Sequence, residues 1–208
     1  MSLWCFVRLS GLRRSLTLAG NWFRYFFLLM SIAVLLGAFL GHGFQYALGY
    51  EAKYPGWIVS MWGVACLERS SIAYAGERVS ERLARIMSVA NITELVVFHG
   101  LIVYFGYFKL VEAHAAYGLV VIAVPLHYRV WRATGSEASR LVLIGVAIAA
   151  SALVVEALDL GLGVWFNYHD VSHVILTVST LLYYRAARLM TVEGVPDAGS
   201  ARAATLVS

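Results

Sequence analysis

Two imidazoles one helical turn apart open the last apolar segment of this chain, in the run His169-Asp170-Val171-Ser172-His173. Residues at i and i+4 share a helix face about 6 Å apart along the axis, a spacing that suits two nitrogen ligands to one metal. A third histidine, His42, stands in Gly41-His42-Gly43 at the end of an early apolar segment. Three imidazoles from two helices can hold zinc and leave a fourth position for water. Zinc lowers the pKa of that water to about 7 and so supplies hydroxide at neutral pH. Asp170 follows His169 and stands i, i+3 from His173. It is placed to orient an imidazole or to take the proton of the water. Interhelical hydrogen bonding is the alternative use of the same three histidines.

Other polar residues fall inside apolar stretches. Glu94 and His99 share one segment and point about 140° apart if it is helical. A carboxylate at that depth either serves function or accepts hydrogen bonds from neighbouring Ser, Asn or Tyr. His114 begins the next segment, and Glu156 and Asp159 close the fifth at i, i+3 spacing. Glu94, His99, His114 and Asp159 are the candidates for supporting contacts around the metal ligands; a solvated helix end is the alternative for Glu156 and Asp159. His127, beside Arg129, reads as interfacial. Gly37 and Gly41 form a small-x-x-x-small pair one turn before His42, which permits close approach of a neighbouring helix.

The elements that must position these residues are membrane helices. Hydrophobic residues make up 61% of the 208 and charged residues 13%, with mean hydropathy +0.74. A soluble domain carries about a quarter charged residues. Taking about 20 apolar residues per crossing, six spans are predicted near 21–44, 55–76, 84–108, 110–129, 139–161 and 166–188. Glu68-Arg69 interrupts the second, and Pro125 sits in the fourth as a tolerated kink. The expected organisation is one membrane domain over 1–190 and a disordered small-polar tail over 191–208.

The arginines cluster at alternate connections, and the intervening ones hold only Lys53 and Lys109. That asymmetry places both ends of the six-span unit, the C-terminus included, in the cytoplasm. His42, His169 and His173 then fall at one depth near the outer face. The net charge of +4 reflects these anchors and forms no basic face for nucleic acid. Cys5 and Cys66 stand in unlike settings and imply no disulfide framework. Residues 2–14 read as the last turns of a membrane helix followed by its anchor, which predicts a seventh span in the full protein and either an internal start at Met1 or a truncated chain.

With a histidine late in one helix and His-x-x-x-His at the start of the last, the chain resembles the CREST superfamily of seven-helix membrane proteins. That group includes the alkaline ceramidases and adiponectin-receptor-like proteins. The matching residues are His42, His169 and His173, and residues 1–16 correspond to the remnant of helix one. The resemblance covers nearly the whole chain and implies bound zinc and hydrolysis of a lipid amide. The serine and aspartate that the superfamily's enzymes carry near the first histidine are replaced here by Ala38 and Lys53, with Glu51 nearby.

The expectation is therefore an all-α polytopic bundle of six spans plus a partial N-terminal helix, set in a bacterial inner membrane. A zinc site of His42, His169 and His173 would act on a lipid amide or ester, with Asp170 as base. Two alternatives stay open. One is a non-enzymatic receptor, sensor or assembly module with structural histidines. The other is a b-type haem carrier drawing on the six histidines, for which a pair on one helix is poorly suited.

Overall fold

The computed structural model describes residues 1–12, 16–163 and 165–192. Among them the regular structure is all helix, apart from one isolated bridge between Gly163 and Phe166. A short helix α1 (Ser2–Ser10) precedes six long ones. These are α2 (Leu18–Gly43), α3 (Tyr54–Ala75), α4 (Glu81–Phe105), α5 (Lys109–Thr134), α6 (Glu137–Ala157) and α7 (Tyr168–Val192). Each of the six expected segments coincides with one of them. Helices α2, α4, α5 and α6 are long and apolar enough to cross a membrane. The expected tail begins inside α7, and residues 193–208 lie outside the described residues, as do Arg13 and Arg14.

Local chemistry sets the boundaries. Thr17, Ser80 and Ser136 cap α2, α4 and α6, accepting from the amides of Gly20, Leu83 and Ser139 at 3.1–3.2 Å. Gly106 and Gly135 end α4 and α5 in the left-handed conformation, at φ 67° and 70°, which glycine adopts without steric cost. Pro125 lacks the amide that would continue the α-helical ladder. Immediately before it α5 widens into a π-helical segment, Gly118–Ala123, that absorbs the mismatch. A second such segment, Gly37–Gly43, forms the last turns of α2.

Glu68 and Arg69 do not break α3, which continues through them to Ala75. The reason is that both side chains find partners on α4: Arg69 donates to the Ser88 carbonyl at 3.3 Å, and Glu68 accepts from Asn91. Helix α3 lies between α2 on one side and α4 and α5 on the other, while α6 pairs with α7. The bundle closes where α7 meets α2, through Tyr183 against Phe23 and Phe26, and Tyr184 against Phe27. Helix α1 joins that seam by Trp4 on Tyr184, with ring centroids 5.1 Å apart.

Between apolar helices in lipid, association depends on close packing and interhelical hydrogen bonds rather than on the hydrophobic effect. Ser70 accordingly donates to the Ala19 carbonyl, linking α3 to α2, and Ser179 donates to the Gly145 carbonyl, linking α7 to α6, each at 2.8 Å. Helix α4 has the opposite character. Only 17% of its most apolar stretch is buried, and Ile92, Val96 and Val103 face outward, as a lipid-facing surface would.

Consecutive helices alternate in direction. The starts of α3 and α4's end meet at Tyr54 and Gly106. The opposite end, which carries the arginine-rich turns, joins Thr17 to Met190 and Tyr74 to Ser136.

Candidate metal centre

The centre of the α3–α4–α5 interface is polar. Glu68 comes from α3, Asn91 and Glu94 from adjacent turns of α4, and His114 from the second turn of α5. Glu68 and His114 have no exposed surface and Glu94 is 6% exposed. One ligand atom from each of Glu68, Glu94 and His114 lies within 4.8 Å of the other two. His114 Nε2 is 3.2 Å from Glu94 Oε1, at an angle that makes no hydrogen bond. Asn91 Nδ2 donates to Glu68 Oε2 at 2.8 Å and to the Ala65 carbonyl at 3.3 Å, which holds the Glu68 carboxylate towards α5.

Helix α5 accepts that carboxylate because position 118 is glycine. A Cβ there would overlap Glu68 Oε1 and stand 2.6 Å from its Cδ. The ring of Phe98, one turn above Glu94, meets His114 edge-on with centroids 5.6 Å apart. Five buried atoms in this cluster have no hydrogen-bond partner: Glu68 Oε1, both Glu94 oxygens and both His114 nitrogens. Each such atom costs about 1–3 kcal/mol. Five of them use an appreciable part of the roughly 5–15 kcal/mol by which a domain is stable. Two ionised carboxylates would also leave a charge of about −2 in a low-dielectric core.

The donor set fits a divalent metal. Carboxylate oxygen and imidazole nitrogen suit zinc, manganese and ferrous iron. With bonds of about 2.0–2.1 Å, the ligand atoms of a tetrahedral zinc stand roughly 3.3 Å apart. The Glu94–His114 pair already has that spacing, and the Glu68 carboxylate stands within 4.8 Å of both.

The residues singled out from the sequence divide between this centre and the far ends of the helices. Glu94 and His114 belong to it. In the sequence Glu68 marks only an interruption of its span, and a carboxylate inside an otherwise apolar segment is the signal that points to it. His42, His169 and His173 are all exposed, and among the described residues their ring nitrogens do not converge as the ligand atoms of Glu68, Glu94 and His114 do. The aromatic seam between α2 and α7 lies at the arginine-rich end, away from these histidines. Gly41 instead packs against the Lys53 side chain, 3.3 Å from a Cβ position to Lys53 Cγ.

His169 Nδ1 stands 3.2 Å from Glu156 Oε1. Asp170 closes a capping box at the start of α7: it accepts from the Asn167 amide at 3.0 Å, while Asn167 Oδ1 accepts from the His169 amide at 2.8 Å. His99 accepts from Trp62 Nε1 at 3.0 Å and donates through Nδ1 to the Leu95 carbonyl at 2.7 Å, linking α4 to α3. Asp159 follows the end of α6 with a positive φ of 50°. His127, expected at an interface, is 1% exposed.

No curated protein and no solved structure matches this chain. A family model does match, over residues 1–192. The buried Glu68–Glu94–His114 centre and the six long helices around it therefore lie wholly inside the matched region, and the chain belongs to the family of unknown function DUF6962.

Proposed function

We propose that this protein is an integral membrane metal-binding protein whose resident ion sits between α3, α4 and α5 on Glu68, Glu94 and His114. The observation that carries the reading is the convergence of five unpartnered buried polar atoms from three helices. A divalent cation satisfies several of them at once and cancels the charge of two carboxylates. Zinc is the first ion to test. The six long helices each cross the membrane in this reading, and the arginine-rich loops and the C-terminus face the cytoplasm of a bacterial cell. The ion is enclosed, since Glu68 and His114 have no exposed surface. It holds three helices together in the manner of a membrane sensor or assembly module. Hydrolysis of a lipid amide or ester is the competing reading and would place zinc on His42, His169 and His173.

One experiment separates the two. The full chain is purified in detergent without a His-tag, loaded with zinc, and analysed for metal content. One zinc per chain is expected, lost in Glu68→Gln, Glu94→Gln and His114→Ala and kept in His42→Ala and His173→Ala. The reverse pattern moves the ion to the three-histidine site, and no metal in the wild-type protein after loading with zinc, manganese or iron refutes metal binding.

A further inference from the structure

The surroundings of the Glu68–Glu94–His114 centre differ on its two sides. Towards the end where Tyr54 meets Gly106, each of its three helices presents an apolar residue on the same face as its polar one. Met61 precedes Glu68 by two turns, Ile102 follows Glu94 by two turns, and Val111 precedes His114 by one. These three form a buried cluster of their own, at 0%, 0% and 8% exposure. A dry apolar seal therefore lies between the centre and that face.

Towards the arginine-rich end the same helices pack through Leu67, Ile122, Leu126 and Val130, and a continuous line of polar groups runs through that apolar packing. Ser71 and Tyr74 follow Glu68 on α3 at i+3 and i+6, about 4.5 and 9 Å further along the axis. Ser71 donates to the Leu67 carbonyl at 2.9 Å, so it accepts from His127 Nε2 at 3.2 Å. Nδ1 of that ring then accepts from Ser139 Oγ at 3.1 Å. The Tyr74 ring stacks on His127, and its hydroxyl meets Ser136 Oγ at 2.8 Å. Ser136 is the cap of α6, in the turn between α5 and α6. Oxygen and nitrogen atoms thus continue from just below Glu68 to the loop surface, all buried.

We infer that the metal centre exchanges its ion with the cytoplasmic side alone, along the Ser71–His127–Ser139–Ser136 column, with Met61, Ile102 and Val111 sealing the outer side. The inference rests on the proposed metal site and on the orientation argued from the arginines. Hydroxyl and imidazole groups can replace water around a passing cation when the column opens, whereas the apolar seal offers it nothing.

Zinc-loaded cells expressing the full chain with a non-histidine affinity tag are converted either to right-side-out spheroplasts or to inverted membrane vesicles. Both are exposed to membrane-impermeant EDTA, and zinc per chain is measured after purification. Inverted vesicles should yield protein depleted of zinc and spheroplasts protein that retains it. Depletion from the outer side, equal depletion from both, or depletion from neither overturns the inference while leaving the site intact. Zinc absent from untreated protein refutes the site, and the inference with it. The double variant Met61→Ser, Ile102→Ser provides a second arm: it should retain zinc before treatment and lose it in spheroplasts. Retention there, in a variant that bound zinc beforehand, shows that these residues are not the seal.

Discussion

Substituting Gly118 by alanine tests the closest approach in the proposed centre. A Cβ at 118 would overlap Glu68 Oε1 and lie 2.6 Å from Cδ and 3.2 Å from Cγ, where carbon atoms rest at about 3.5–4.0 Å. The carboxylate must retreat by about 1 Å, and its retreat stretches the 2.8 Å bond from Asn91. A hydrogen bond to an ionised group contributes about 1.5–3 kcal/mol. Replacing glycine within a helix returns about 0.5–1 kcal/mol. The net expectation is a loss of about 1–2 kcal/mol of stability, together with loss of bound zinc because one ligand is pushed out of reach.

Gly100 provides the control, because a Cβ there meets nothing within 4 Å; Gly100→Ala should be neutral or stabilising by up to about 1 kcal/mol. The assay is unfolding in mixed detergent micelles, followed by the fluorescence of the six tryptophans, with zinc content measured alongside. If Gly118→Ala behaves as Gly100→Ala and keeps its zinc, α3 and α5 do not approach as described and the centre loses its geometry.

Two further substitutions probe the frame around the site. Asp170→Ala removes the acceptor of the Asn167 amide and should destabilise the start of α7 by about 1 kcal/mol; unchanged zinc content in the same variant would agree with a capping role, and loss of zinc would contradict it. Gly145→Ala places a Cβ 2.6 Å from Tyr183 Cε1 in a buried contact and should cost about 1–3 kcal/mol by overpacking α6 against α7. Equal stability to wild type in the same micelle assay would show that α6 and α7 are less tightly packed than described.

Much of the framework was legible in the sequence because it is local. A span is a length of apolar chain, so Leu18–Gly43 and Glu137–Ala157 could be located from hydropathy alone. Pro125 announced a disturbance of α5, and the structure resolves it as a π-helical segment. Asn167-Tyr168-His169-Asp170 carries a capping signal at N-cap and N3 spacing, although Asp170 stands out first as a candidate base. Glu94 and His114 could be marked one by one, since a polar group inside an apolar segment is visible without knowledge of its neighbours.

Which of these residues meet is a different quantity. Depth in a bilayer is expected from position along one helix, and it was by that expectation alone that His42, His169 and His173 were grouped. Azimuth, the direction in which a helix presents each face, follows from packing against the other helices. It was decided by features spread over the chain: aromatic rings that join α2 to α7 at the arginine-rich end, a glycine at 118 that admits Glu68, and Asn91 that turns the same carboxylate towards α5. The sequence by itself determined the helices, their order and the position of each polar side chain along its helix. Only the tertiary structure decided that Glu68, Glu94 and His114 share one buried site while His42, His169 and His173 stand apart, because a shared site requires agreement in position along the helices and in azimuth together.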